Sequence, residues 1–164
     1  MFPNKQTTRA ACVARYGAID FVSGHWGRQH EWMTTIEINP ADFPNWVVDA
    51  HGHPHVASIY CNKDMAGPLV AALKSVHDKG LGNVLKLYDG CFNIRKVRGS
   101  TAFSAHAYGL AIDLNADDNN LGATHGGFYN NPEFVKCFTD QGFAWGGNFH
   151  GRKDPMHFSY CFEG

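Results

Sequence analysis

The sequence predicts an α+β fold: one small domain with a mainly antiparallel sheet flanked by helices. Three observations predict it. Strand-like and helix-like stretches mix without a regular βαβ rhythm. One long segment, 64–79, has helical periodicity, while several short segments read as strands. A length of 164 residues suits a single domain with a sizeable core. Residues 1–164 are therefore read as one domain. Its better-defined part is 51–164, and 1–50 is a poorly assigned extension of the same unit.

Taken in order, Ala10 to Ala14 begins a short helix, and Gly17, Gly24 and Gly27 then interrupt any long element. Thr34 to Ile38 alternates and reads as a strand ended by Asn39-Pro40, and Val56 to Tyr60 reads as a second. In 64–79, Leu69, Val70, Leu73 and Val76 recur at helical spacing, and Gly80 stands where a C-cap belongs. Pro68 suits a first turn, which places the helix start near Ala66. Asn83 to Tyr88 and Cys91 to Arg95 read as strands joined by a hairpin turn at Asp89-Gly90. Leu110 to Asn115 is another strand. Its Leu110, Ile112 and Leu114 face the core, and Ala111, Asp113 and Asn115 face the other side. Asn131 caps and Pro132 opens a helix running to about Gln141, before Gly142. Phe143 to Trp145 and Met156 to Phe162 are the last strands, with His157 and Ser159 sharing one face of the second.

A hydrophobic content of 44% with 13% aromatics marks a globular chain. The formal net charge of -1 argues against a nucleic-acid partner, which would call for a basic face. No run is long and apolar enough to span a bilayer. A monomer is expected. Cys12, Cys61, Cys91, Cys137 and Cys161 are scattered, odd in number and form no CxxC pair. Reduced, buried thiols are expected in place of a disulfide framework or a cysteine zinc site. The first ten residues contain no apolar h-region, so synthesis in a cytoplasm without an export signal is expected.

The chemistry concentrates in two places. The run Ser104-Ala-His106-Ala-Tyr-Gly109-Leu-Ala111-Ile-Asp113 supplies an imidazole and a carboxylate, and Asp154-Pro-Met-His157-Phe158 supplies a second of each. His106, Asp113 and His157 can hold one zinc ion and leave its fourth position open, the pattern of a catalytic site. Asp113 projects from a strand beside the small Ala111, and Gly109 lets the chain turn so that His106 returns over the same cleft.

Other signals are weaker. His51-Gly52-His53-Pro54-His55 could bind metal, but its glycine and proline favour a turn. Asp113 to Thr124 begins like an EF-hand, yet Asp118 and Thr124 replace the required Gly and Glu. Asp117, Asp118, Asn119 and Asn120 are left as a solvated loop or a looser calcium site. His25, His30, His77 and His125 stand alone.

The two motifs resemble the shared signature of the peptidoglycan zinc metallopeptidases, SxHxxGxAxD followed late in the chain by (D/E)xxH. That family includes D-Ala-D-Ala carboxypeptidases, vancomycin-resistance dipeptidases and phage L-alanyl-D-glutamate endopeptidases. The resemblance spans roughly residues 55–164, and Asp154 followed by Met156-His157-Phe158 looks most like the endolysin branch. It implies a hedgehog-like and DD-peptidase-like fold, a Zn2+ cofactor, and His106, Asp113 and His157 as ligands. It implies that Asp154 moves the proton in peptide hydrolysis. Arg95, presented by Gly90-Cys91-Phe92-Asn93-Ile94-Arg95, would steady the carbonyl oxygen or hold a substrate carboxylate, with Arg98 as its rival. Ser104 orients a ligand or caps a turn. Trp145 stacks on substrate or fills the core, and His150 can reach the cleft from a glycine-rich loop. The implied partner is peptidoglycan, cut at the L-Ala–D-Glu bond during host cell lysis, after the membrane has been permeabilised. A D-Ala-D-Ala carboxypeptidase of bacterial origin is the alternative enzyme. A non-catalytic, zinc-stabilised binding module is the alternative class, and Asp154 argues against it.

Overall fold

Among the described residues, two antiparallel sheets divide the α+β fold, one from each half of the chain. The computed structural model describes residues 2–49, 51 and 54–162. Helices α1 (Arg9–Tyr16) and α2 (Gln29–Trp32) come first, then strands β1 (Met33–Glu37) and β2 (Ser58–Asn62), and helix α3 (Lys63–Asp78). Strand β3 (Ala111–Asp113), helix α4 (Pro132–Thr139), and strands β4 (Ala144–Trp145) and β5 (His157–Ser159) follow, linked by short 3₁₀ turns. β1 pairs with β2, and β5 lies between β3 and β4.

Local chemistry explains where the helices stop and start. Thr8 caps α1 by accepting a hydrogen bond from the Ala11 amide, and Asn62 caps α3 through the Asp64 amide. Each such cap stabilises its helix by about 1 kcal/mol. The Asn62 cap starts α3 at Lys63, three residues before the start near Ala66 that the sequence suggests. Pro68 therefore sits inside the helix. Its missing N–H leaves the Asp64 carbonyl without its usual helical donor. Met65, Leu69, Ala72, Leu73 and Val76 form the buried stripe, whereas Val70, expected among them, is exposed. α4 is opened by Pro132, but the Asn131 side chain turns back to donate to the Gly127 carbonyl and caps nothing.

The expected hairpin at Asp89-Gly90 does not form. Leu87 instead bridges to Val47, and Tyr88 to Leu114. The Asp89 amide donates to the Asp113 carbonyl, and the Asp113 amide to the Gly90 carbonyl. The turn therefore lies along β3, and the stretch from Cys91 onward runs as irregular chain past the 3₁₀ turn Ala105–Tyr108. The β3 strand is also shorter than Leu110 to Asn115, and both of its faces are covered. Ala111 and Asn115 are buried along with Leu110, Ile112 and Leu114. Asn115 leaves the strand in a left-handed conformation (φ 50°), with its side chain accepting from the Lys86 and Leu87 amides and donating to the Val84 carbonyl.

α4 packs on the three-stranded sheet through aromatic rings. Phe138 lies 4.6 Å from Phe158, and Phe134 stacks on Phe128 at 4.7 Å. Truncating one of these buried rings to alanine would cost about 3–5 kcal/mol. All five cysteines are free and buried. Among the described residues, no helix is long and apolar enough to cross a membrane.

Candidate metal centre

Sheet register builds the centre. In the antiparallel pair β3–β5, Asp113 stands directly opposite His157. Side chains facing each other in this way lie within reach of contact. His157 Nδ1 is 3.1 Å from Asp113 Oδ1. His106 arrives from the other direction, on the 3₁₀ turn Ala105–Tyr108. Ser104 Oγ opens that turn by accepting from the His106 amide, and Gly109 closes it at φ +67°. A side chain at Gly109 would also strike the Met33 side chain and the Asn62 backbone nitrogen, so only glycine fits.

The three residues converge. One donor atom from each of His106, Asp113 and His157 lies within 4.8 Å of the others, and this is the only such group of three or more among the described residues. His106 Nε2 is 3.1 Å from Asp113 Oδ2. Tetrahedral zinc with bonds of about 2.0–2.1 Å would hold its donors about 3.3 Å apart, so the spacing suits that ion.

Unsatisfied atoms test the fit independently. His106 Nδ1 donates to the Cys91 carbonyl at 2.7 Å, which leaves the Nε2 lone pair free. That buried Nε2 has no hydrogen-bond partner, because its approach to Asp113 is off the line such a bond needs. Asp154 Oδ1 is likewise buried without a partner. Leaving such groups unpaired costs about 1–3 kcal/mol each, a cost that a bound cation or substrate would relieve.

Electrostatics separate the two carboxylates. Burial would raise the pKa of Asp113, but the charge of His106 and His157 and the hydrogen bond from His157 outweigh it and hold the group well below the usual carboxylate range. Burial works against a charged His106, yet Asp113 and the Cys91 carbonyl together raise its pKa. For Asp154, burial dominates and raises the pKa, opposed by His157, His106 and Arg95. A ligand carboxylate kept ionised beside a more basic carboxylate is the division of labour that acid–base catalysis requires.

The centre opens on a cleft of about 480 Å³, lined among others by Arg95, Ser104, Asp113, His150, Asp154 and His157. Arg98 lines it too, so both arginines singled out from the sequence reach it. Trp145 does not. It is buried, its indole N–H donates to the Pro155 carbonyl at 2.7 Å, and Tyr129 packs on its ring. Its place is beneath the Asp154–His157 turn, and the substrate-stacking expectation is corrected accordingly. His51 is exposed and His55 lies against the Pro44 carbonyl, while His53 lies outside the described residues. At the acidic loop, Asn119 is consumed structurally, donating to the Asn115 carbonyl and accepting from the Phe128 amide, and Asp118 lies 3.5 Å from Lys86.

Several contributors gave little sequence signal. Cys91 acts through its carbonyl, which any residue would supply. Phe149 places its ring 6.0 Å from that of His157. Gly146 accepts from the Asp154 amide at 3.0 Å, and a Cβ there would overlap the Asp154 carbonyl oxygen. The Gly146-Gly147 pair was the available clue. Arg152, two residues before Asp154, also lines the cleft.

Residues 98–160 match a family model described as D-alanyl-D-alanine carboxypeptidase. The match covers both motifs and leaves Arg95 outside it. It supports a zinc peptidase that acts on peptidoglycan, and it does not reach the distinction between branches of such enzymes. No curated protein matches the chain.

Proposed function

We propose that this protein is a zinc-dependent peptidase that hydrolyses peptidoglycan stem peptides at the L-Ala–D-Glu bond, acting as a phage endolysin in host cell lysis. The observation that carries the reading is the pair of unpartnered buried atoms, His106 Nε2 and Asp154 Oδ1, beside an open cleft. One serves a metal and the other a proton. His106, Asp113 and His157 would hold the zinc, which would supply Lewis acidity toward a peptide carbonyl and toward a water, whose pKa would fall from about 15.7 toward about 7.

The chain's own groups supply the rest. Asp154, with its pKa raised by burial, takes the proton from the attacking water and returns it to the leaving amine. Arg95 lines the same cleft, and its charge is felt at both His106 and Asp154. It steadies the carbonyl oxygen as charge develops there. His150 contacts substrate from the opposite loop, and Ser104 acts indirectly by holding the His106 turn.

An open-sided cleft, with Arg98, His150 and Arg152 exposed along it, favours cleavage within a chain over recognition of a free terminus. The Asp154–Met156–His157–Phe158 pattern supports the endolysin branch. In that role the protein is made in the host cytoplasm and meets the wall, as a monomer, once the membrane is permeabilised. The family description favours a second reading, a D-Ala-D-Ala carboxypeptidase.

Mass spectrometry of fragments released from purified peptidoglycan by zinc-loaded protein tests both. New amino termini at D-Glu support the endopeptidase, and loss of terminal D-Ala alone supports the carboxypeptidase. No product from folded, zinc-loaded protein rejects both. Asp154→Ala should retain zinc and lose about 10²–10⁴-fold in kcat/KM, the usual contribution of a positioned acid–base group.

A further inference from the structure

Three consecutive residues, Arg152, Lys153 and Asp154, each tie one loop to a different place. Arg152 Nη2 donates to the Arg98 carbonyl at 3.1 Å. The Lys153 carbonyl accepts from the Gly122 amide at 2.7 Å, and the Lys153 ammonium donates to the Phe149 carbonyl, four residues back. The Asp154 amide donates to the Gly146 carbonyl at 3.0 Å, and the Phe149 amide shares that acceptor at 3.2 Å. Phe149 and Asp154 are thus drawn to one oxygen. The residues between them close into a loop, with His150, Gly151 and Arg152 exposed on it.

A lysine is an unexpected residue for that closure. It ordinarily keeps its charge in water or against a carboxylate. Lys153 is half-buried, and among the described residues it lies within ion-pair distance of no carboxylate. Its ammonium spans the loop and rests on a neutral carbonyl, a bond that a charged donor makes roughly twice as strong as a neutral one. Phe149 and Asp154 line the cleft, and Lys153 is not among the lining residues. It therefore reaches the chemistry through the residues it holds. One is Phe149, whose ring lies 6.0 Å from that of His157. The other is Asp154, the next residue, whose buried Oδ1 stands without a partner.

We propose that Lys153 is a positioning residue of the metal centre: its ammonium, fixed on the Phe149 carbonyl, braces the loop that sets Asp154 and the Phe149 ring beside His157. The role rests on the peptidase reading, in which Asp154 moves the proton. A positioned acid–base group loses rate steeply when it is displaced, and its supporting contacts decide how closely it is held. Without the ammonium, the loop keeps its two bonds to Gly146 and loses the bond that joins its two ends from the side-chain direction. Asp154 then samples positions from which proton transfer is slow, while the metal ligands and the cleft's lining groups stay in place.

The test compares zinc-loaded Lys153→Met and Lys153→Arg proteins with the unsubstituted one, by two readouts. The first is amide hydrogen exchange, which needs no turnover. In Lys153→Met the Phe149 and Asp154 amides should exchange about tenfold faster, with the amides of β1 and β2 unchanged. The second is hydrolysis of the stem peptide L-Ala-γ-D-Glu-L-Lys-D-Ala-D-Ala. Lys153→Met should lower kcat by about tenfold, with KM within about twofold and zinc stoichiometry retained. Lys153→Arg keeps a charged donor of similar reach and should recover part of both losses. Unchanged exchange at Phe149 and Asp154, or equal acceleration throughout β1 and β2, would overturn the brace. So would an Arg variant no better than Met, or a raised KM with kcat unchanged. Failure of the peptidase reading looks different: the unsubstituted protein would cleave nothing, and exchange alone would then decide whether Lys153 holds the loop.

Discussion

Two largely buried carboxylates, Asp64 and Asp113, each gather two side chains, with opposite results. Asp64 receives Arg15 through two nitrogens, at 2.7 and 3.2 Å, and the Tyr16 hydroxyl at 2.6 Å. That cluster fastens α1 to the first turn of α3, and none of its buried polar atoms lacks a partner. Burial and the Asp64 contact both push the Tyr16 hydroxyl well above its usual pKa, so it stays a donor throughout the working range. Asp113 gathers His106 and His157, but a ring nitrogen beside it and the nearby Asp154 oxygen remain unsatisfied. A buried polar cluster that completes itself holds a fold. One that stops short is waiting for something from outside.

The largest contrast should come from exchanging the roles in a metal-binding assay. His157→Ala should lower zinc affinity by more than about 100-fold, since even outer-sphere changes cost about 10–100-fold. Asp64→Ala should leave the zinc stoichiometry of the folded protein unchanged. Elemental analysis after dialysis reads both, and loss of metal from folded Asp64→Ala protein would break the distinction.

Stability should divide the other way. Breaking a buried ion pair typically costs about 3–5 kcal/mol. The Arg15 side chain is 31% exposed, so solvent screening reduces the expected loss for Asp64→Ala to about 2 kcal/mol. Urea unfolding measures it, and a change below about 0.5 kcal/mol would show that the cluster contributes little.

A smaller effect should follow at Gly146. Gly146→Ala forces the Asp154 backbone aside without touching a metal ligand. It should lower kcat by about tenfold with zinc retained, because small displacements of a catalytic group carry large rate penalties. An unchanged kcat would mean that the loop absorbs the methyl group elsewhere.

The last effect is on pH dependence. The raised pKa of His106 stabilises the metal-free protein fully below the ordinary imidazole value of 6.5, and that contribution is lost as pH rises through the raised value. Zinc requires neutral imidazole, so its stabilisation runs the other way. The gap in Tm between zinc-loaded and metal-free protein should widen from about pH 6 to about pH 8. A gap that narrows over that range would contradict the assignment of His106.

What could be read from the sequence was what side-chain identity and short-range spacing encode. His106 and Asp113 announce themselves because a glycine between them permits the turn, and His157 because Asp154 precedes it by three residues. The α3 stripe was legible because its period is helical, although the Asn62 cap and the interior position of Pro68 were not. The failed hairpin shows the limit. Asp89-Gly90 has the local chemistry of a turn, but its hydrogen bonds go to β3, more than twenty residues away. Competition from a distant strand cannot be seen in a dipeptide. Trp145 was ambiguous for a related reason, since its partner is the Pro155 carbonyl and no side chain marks it.

Both ends of the described chain are sewn into the same seam. Lys5 reaches the Gly142 carbonyl, the Tyr160 hydroxyl donates to the Pro3 carbonyl, and the Tyr108 hydroxyl donates to the Gly17 carbonyl. Tyr108 belongs to the turn that carries His106, and Tyr160 directly follows β5, which carries His157. Fraying at either extremity would therefore be transmitted to the imidazoles within a residue or two. Shortening the polypeptide toward its motif-bearing portion would sacrifice the rigidity of the ion-binding trio, not merely trim its surroundings.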